Sequence, residues 1–475
     1  MYLNLNQELQ NKYPHLEISV LKMSQAKSNK DFRIDSEYFS KKYIEIDKLL
    51  SNINAVRLDT LTSKISDGTH FTPNYKESGV KFISAINISD NYFDLDAGYK
   101  YISKEEHKKL YSRCNPEYND VLIRKVGAGL RKSCVIPKID EQFSIFVSVA
   151  LIKCNSINPF YLSTFLNSTY GQTQLLRFNK GIGQPDLHLE DIARCLIPIF
   201  PLEFQQQIEQ MVRESHECLE QSKALYREAE VLLYRELGLD PENPLASIES
   251  HSGSLNISVR PLSQSLNATG RLDSEYYQTK YDEIEKVIKN YRGGYFQLSL
   301  SELRDKNFTP QAQTKYRYIE LANIGANGNI SEPIVDFGEN LPSRARRIVK
   351  TGDMIMSSVE GSLQSCALIT DEFDNCIVST GFYVLKSSNL NSETLLVLFK
   401  SKLFQDYLHK FSSGTILTAI SKDELQNILI PKIAQQTQTQ IAEKIKQSFT
   451  LRKKASELLQ QAKSKVEIAI EQPSF

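Results

Sequence analysis

Ile18–Leu50 reads ISVLKMSQAKSNKDFRIDSEYFSKKYIEIDKLL, and Ile257–Ile288 reads ISVRPLSQSLNATGRLDSEYYQTKYDEIEKVI. With one gap, 15 of 32 positions are identical, including Arg33-x-Asp35-Ser36-Glu37-Tyr38 against Arg271-x-Asp273-Ser274-Glu275-Tyr276. A repeat of this length, recurring after about half the chain, predicts two copies of one domain. The register continues beyond it. Phe71-Thr72-Pro73 matches Phe308-Thr309-Pro310, Phe82-Ile83 and Asn87-Ile88 match Tyr318-Ile319 and Asn323-Ile324, and Asn119-Asp120-Val121 matches Gly352-Asp353-Met354. Gly181 matches Gly414, and Ile197-Pro198 matches Ile430-Pro431. The offset falls only from 239 to 233, so short loop changes separate the copies. Between these landmarks the sequences diverge, which predicts one scaffold carrying two different surfaces.

The chain of 475 residues is 41% apolar and 24% charged, an ordinary globular composition for two to four domains. No apolar run approaches the roughly 18 residues of a membrane span. The N-terminus MYLNLNQELQ lacks a basic-then-apolar signal pattern, so a cytoplasmic protein is expected. Seven cysteines are scattered without a C-x-x-C pair, which argues for buried thiols and against a zinc site or a disulfide framework.

Net charge is zero, but its distribution is uneven. Residues 203–238 carry 4 basic and 8 acidic side chains, whereas residues 434–475 carry 7 and 4. Residues 1–202 are net positive, 26 against 22, and residues 239–433 slightly negative, 20 against 23. Glu203–Leu237 contains no Pro or Gly and ends at Gly238; Ala434–Glu471 also lacks both and stops short of Pro473. Each reads as one long helix. The second has a heptad-like stripe of Ile445, Ser448, Arg452, Ala455, Leu459, Ala462, Val466 and Ala469. Its counterpart is Val212, Ser215, Leu219, Ser222, Tyr226, Ala229 and Leu233. The mixture of small and large residues, with opposite net charge, favours pairing the two helices with each other. The expected boundaries are 1–202, a helix at 203–238, a linker at 239–256, a second copy at 257–433 and a helix at 434–475. Each globular part is mixed, with β-rich runs such as Val80–Ile88, Asp120–Val126, Val147–Lys153, Tyr318–Ile324, Asp353–Val359 and Gly381–Leu385.

Catalytic motifs fare poorly. Asn158-Pro159-Phe160-Tyr161 is similar to the N-P-P-Y motif of DNA amino-methyltransferases, in which the target base is flipped and stacked. It lacks the second Pro, and the other copy has Asn391-Ser392-Glu393-Thr394. What the two share is a helix start with an Asn N-cap. Val126-Gly127-Ala128-Gly129-Leu130 lacks the third glycine of a dinucleotide loop, and no Walker A sequence occurs. Of the carboxylates in Pro185–Asp191, only Glu190-Asp191 survives in the other copy, as Asp423-Glu424, and reads as an acidic cap on a short helix. No catalytic residues are assigned and no metal ligands.

Polar loops remain. The first, around Ser66-Asp67-Gly68-Thr69-His70-Phe71-Thr72-Pro73-Asn74-Tyr75-Lys76, is rich in turn formers and side-chain donors and offers Lys64, Asp67, Thr69, His70, Thr72, Asn74, Tyr75 and Lys76 as candidate binding residues. A second sets Arg124, Lys125, Arg131 and Lys132 around two glycines, where backbone can approach a phosphate. A third offers Lys180 and Gln184. In the second copy the candidates are Arg304, Lys306, Lys315, Arg317, Arg344, Arg346, Arg347, Lys410, Ser412 and Thr415. Candidate helix–helix contacts are Val212, Leu219, Tyr226, Ala229, Leu233, Ile445, Ala455, Leu459, Ala462 and Val466.

The S-D-G-T-H-F-T-P loop at 66–73, a glycine loop followed by an acidic pair and Ile-Pro in each copy, and the Gln-rich helix starts Gln205-Gln206-Gln207-Ile208 and Gln438-Thr439-Gln440-Ile441 carry a resemblance. The chain resembles the specificity subunit of type I restriction-modification systems over nearly its whole length. One departure is that the second copy has Asp305-Lys306-Asn307-Phe308 in place of D-G-T-H. The resemblance implies an α+β fold: two repeated α/β target recognition domains separated by two long antiparallel, coiled-coil-like helices, with pseudo-two-fold symmetry. It implies that each domain reads one half of a bipartite asymmetric DNA target. The helices would set the spacer and dock two methylation subunits, and restriction subunits through them. No cofactor would be held by this chain: S-adenosylmethionine, ATP and magnesium would belong to partners, in keeping with a non-catalytic recognition subunit. The near-neutral charge fits if partners supply much of the phosphate contact. The readings set against it are a stand-alone methyltransferase or nuclease, and a two-domain protein-binding scaffold.

Overall fold

The computed structural model describes residues 2–28, 33–95, 97–127, 131–178, 186–246, 248, 257–265, 270–299, 302–304, 306–414 and 418–472. The chain divides into two compact units, residues 1–218 with 454–475, and residues 219–453. Each is an α+β body built on the same plan, completed by half of each long helix.

In unit 1 the repeat stretch becomes a turn followed by the helix Lys41–Ser51. Thr62–Asp67, Val149–Cys154, Val121–Arg124 and Ser133–Val135 form an antiparallel sheet in that order. A second sheet pairs Val80–Ile83 antiparallel with Lys100–Ile102 and parallel with Phe143–Ile145. The helix Pro159–Asn167 is almost wholly buried and opens with Asn158 as N-cap, its side chain accepting from the Phe160 and Tyr161 amides. Unit 2 repeats the pieces. Cys366–Leu368, Met354–Ser357 and Phe382–Leu385 form one sheet, and Ile334–Phe337, Lys315–Ile319, Ile377–Ser379 and Ala345–Ile348 another. Its buried helix, Ser392–Lys400, is capped by Asn391 in the same way. The Ile-Pro landmark closes each unit as a strand: Ile197 pairs with Val56, and Ile430 with Phe296.

The other shared residues also hold turns. The run at Val80–Ile88 breaks after Ile83, because Ser84 and Asn87 form a capping box around a 3-10 turn. Glu320 and Asn323 do the same in unit 2. Asn119 and Gly352 occupy one scaffold position, both left-handed (φ +67° and +82°), where Gly and Asn are the residues that fit. The aspartate after each turns back to accept a backbone N–H: Asp120 from Glu117, Asp353 from Lys350.

The R-x-D-S-E-Y motif is a staple. Arg33 makes a two-pronged bond to Asp35, which accepts the Tyr38 amide. The Arg33 guanidinium lies 4.7 Å from the Tyr38 ring centre and Arg177 lies 4.2 Å from it. Arg33 also donates to the carbonyl of Arg177. In unit 2 Arg271, Asp273, Tyr276 and Lys410 repeat each contact, with cations 4.5 and 4.9 Å from the ring. A further rung joins Asp47 to Arg177 and Glu285 to Lys410. Tyr38 and Tyr276 are thus buried packing residues that two cations cover.

The long helices run Leu202–Glu236 and Gln435–Glu471. Within unit 1 Ser215 Oγ donates to the Ala455 carbonyl at 2.8 Å, Lys454 meets Glu214 and Lys465 meets Gln207. One number falls as the other rises, so the segments are antiparallel. Within unit 2 Ser448 Oγ donates to the Ser222 carbonyl at 2.7 Å, Lys444 meets Glu228 and Thr437 meets Glu236. The serine contacts are repeat equivalents of each other. Val212, Tyr226, Ala229, Leu233, Ile445, Ala455, Ala462 and Val466 are all buried in the seam or the core behind it. Leu219 and Leu459 are only partly buried, because the close approach is made by the serines and alanines beside them. Residues 239–246 and 248, part of the expected linker, are also packed: Leu245 and Ile248 join the core of unit 2.

Two outcomes are expected. Ser448→Ala removes the two hydrogen bonds that its hydroxyl makes with the carbonyl and hydroxyl of Ser222 and costs about 1–3 kcal/mol, whereas Ser448→Leu loses the same bonds and also overfills a site with no exposure, at a further cost of about 1–3 kcal/mol, so the Leu variant is the less stable. Urea midpoints should fall in that order. The hydrogen bonds from Arg33 and Arg271 hold the Asp35 and Asp273 carboxyls below the ordinary aspartate range. Their contribution is therefore complete above about pH 4 and is lost as acid titrates them below it. Replacing both by Asn should lower the urea midpoint at pH 7 and flatten its fall between about pH 4 and 2.

Candidate nucleic-acid interface

The loop after Thr62–Asp67 is fixed from beneath. Asp67, 6% exposed, pairs with Lys125, 4% exposed, at 2.9 Å. Arg113 donates to the Asp67 carboxylate and carbonyl and to the Gly68 carbonyl. A Cβ on Gly68 would sit 2.0 Å from the Ile145 carbonyl oxygen, so no other residue lets this strand edge approach. Thr69 N–H donates to Ile145, and the Val147 amide donates back to Thr69. Thr69 is buried, its hydroxyl accepting from the Phe71 amide.

From that base His70, Phe71, Thr72, Asn74, Tyr75 and Lys76 reach solvent. His70 lies 3.3 Å from Asp67 with its ring more than half exposed. Lys100 covers the Tyr75 ring at 4.1 Å. The candidates divide accordingly. Lys76, His70, Thr72, Asn74 and Tyr75 can touch a ligand. Asp67, Lys125 and Thr69 cannot, because their polar atoms are spent on holding the loop. Arg113, absent from the candidates, is the main anchor. Its partner lies 46 residues away in sequence, and no local pattern marks it.

The remaining candidates of unit 1 are partly committed. Lys64 donates to the Arg113 carbonyl, and Lys132 pairs with Asp90 at 3.1 Å. Arg124 and Arg131 are half-buried, and burial pulls both guanidinium groups below their ordinary range. Arg131 is left-handed at φ +76°. Lys180 and Gln184 lie outside the described residues.

In unit 2 Arg304, Lys306, Lys315, Arg317 and Arg344 are exposed. Arg304 lies 3.5 Å from the fully buried Asp353, whose carboxyl burial pushes up. Arg317 donates to the Glu372 carbonyl, Lys315 lies over Phe337, and Arg346 holds Thr309 and the Ser343 carbonyl. Arg347, Lys410 and Ser412 are corrections: all three are buried. Arg347 donates to the Phe382 carbonyl. Lys410 belongs to the tyrosine staple, where with Lys289 it holds Glu285 below the ordinary carboxyl range against the opposing effect of burial. Thr415 lies outside the described residues. Among the described residues no group of three His, Cys, Asp or Glu side chains is placed to hold a metal ion, and no helix is long and apolar enough to cross a membrane.

No family model matches the sequence. The chain is 29% identical over 138 residues to the type I restriction enzyme EcoBI specificity subunit of Escherichia coli, a match taking in 29% of each protein. It is 21% identical over 428 residues to the type I restriction enzyme MjaVIII specificity subunit of Methanocaldococcus jannaschii, across 82% of this chain and 95% of that one. The chain is thus similar to type I specificity subunits, over most of its length in the second case. Among solved structures, the S subunit of a type I restriction-modification system from M. genitalium aligns at 13% identity and a TM-score of 0.38, over 88% of this chain and 94% of that chain.

The buried ion pair beneath the loop gives a direct test. Asp67→Ala leaves Lys125 buried without a counterion and should cost about 3–5 kcal/mol in denaturant unfolding. Replacing Lys125 by Met in the same protein should recover a large part of that loss.

Proposed function

We propose that this chain is the DNA-reading subunit of a type I restriction-modification complex, unit 1 reading one half of a split target and unit 2 the other. The observation that carries the proposal is the duplication. One scaffold, held by matching staples, presents two unlike sets of exposed loop side chains, in a chain that aligns with 95% of a type I specificity subunit. Phosphate contacts position such a protein, and base-edge contacts specify its site. Lys76 in unit 1, with Lys306 and Arg344 in unit 2, suits the first task. Thr72 and Asn74 suit the second.

The paired helices, in this proposal, set the spacing of the two half-sites and dock two methylation subunits, with restriction subunits held through them. The methyl donor, ATP and magnesium belong to those partners, and this chain supplies recognition without catalysis. Its neutral net charge accords with partners contributing part of the phosphate contact.

Methylome sequencing of a host carrying the complex tests the assignment. Exchanging residues 18–200 for those of a related subunit should change the methylated bases in one half-site and leave the other half and the spacing intact. A change in both halves would overturn independent reading. Lys76→Ala should weaken binding to all duplexes alike, and lower the slope of log affinity against log salt by about 0.9.

A further inference from the structure

The most exposed aromatic ring of the described residues is Phe71, at 82%. Nothing about the scaffold requires this. Its counterpart in the other copy, Phe308, is half-buried with its ring 5.7 Å from Tyr316. A bare phenyl ring on a mobile tail would need no account. Phe71 instead stands on a loop tied at its base. The residue two before it is bonded through both its N–H and its carbonyl to the segment 145–147, and its own amide is held by the Thr69 hydroxyl. The buried Asp67–Lys125 pair lies beneath. The ring's position is therefore preorganised, and little conformational entropy remains to be lost when it is covered. Phe71 follows the exposed His70, on a loop that also carries the exposed Lys76, and both suit phosphates.

A phenyl ring neither donates nor accepts an ordinary hydrogen bond, so it cannot read the polar edges of bases. The apolar group that a base pair presents in the major groove is the thymine C5-methyl. A wedge between base steps is the other use of an apolar side chain on DNA, and it requires the step to be opened at a cost of a few kcal/mol. A phenyl ring beside the short Thr72, on a loop tied at its base, fits the methyl better.

We infer that Phe71 is a specificity-determining residue that packs against the C5-methyl of a thymine in the half-site read by unit 1. The inference rests on the DNA-reading proposal above and adds to it a residue and the group that the residue recognises.

The test uses the full chain assembled with its methylation subunits, and a duplex carrying the target found by methylome sequencing. Each thymine of the unit 1 half-site is replaced in turn by uracil, which lacks only the methyl. One replacement should weaken wild-type binding about fourfold, the value of one buried methyl group. Phe71→Ala should bind the thymine duplex less tightly and show no further loss on the uracil duplex. Phe71→Leu should keep part of the discrimination. Thermal unfolding of both variants should match wild type, since the ring is exposed. Equal weakening by Phe71→Ala on thymine and uracil duplexes, or no effect of any uracil, or a half-site without thymine, overturns the inference while leaving the DNA-reading proposal standing. Absence of any target-specific binding by the wild-type complex sinks both.

Discussion

Two helices touching through serine hydroxyls and backbone carbonyls form the constraint on which each unit depends. Leucines at such positions would hold helix axes apart by the width of their side chains. Serine and alanine let one backbone come within hydrogen-bonding reach of the other, as Ser215 does with Ala455 and Ser448 with Ser222. A buried hydroxyl is satisfied only where a hydrogen-bonding partner faces it, so the contact fixes the register as well as the distance. The core of unit 1 includes Val212, Ala462 and Val466, and that of unit 2 includes Tyr226, Leu233 and Ile445. Neither core is complete without residues from both helices.

Much of this was legible in the sequence, for identifiable reasons. The repeat exposed the scaffold because residues that hold turns and caps admit few substitutes. Asn87 and Asn323, Asn119 and Gly352, and Asn158 and Asn391 each perform one geometric task twice. The helix stripe was legible because a long helix free of Gly and Pro has only its periodicity to report. The candidate surface was less so. Charge in a loop marks polarity without direction, and Lys125, Arg347 and Lys410 turn inward to partners 58, 35 and 125 residues distant. No local pattern separates a lysine that holds a loop from one that offers its charge to a ligand. The packing of Leu245 and Ile248 was hidden for a related reason, since short apolar residues among Ser, Pro and Asn read as solvated chain.

The loop at 66–76 shows how one segment divides its labour. Asp67, Gly68 and Thr69 spend their polar groups and their lack of bulk on attachment. The residues that follow are left bare. Rigidity in the first three gives meaning to variation in the rest, because a side chain recognises a fixed target only when its own base does not move.

The tyrosine staple bears on how this gene can change. Asp47 meets Arg177 in one copy, and Glu285 meets Lys410 in the other. Both members of the pair differ between the copies while the opposition of charge is kept. A crossover between the two copies inside the interval from codon 47 to codon 177 would unite the acid of one copy with the base of the other, mismatched in reach. Exchanges that carry the whole interval keep partners together. The duplication thus left the two halves alike enough to share a plan, yet each locked to its own parts.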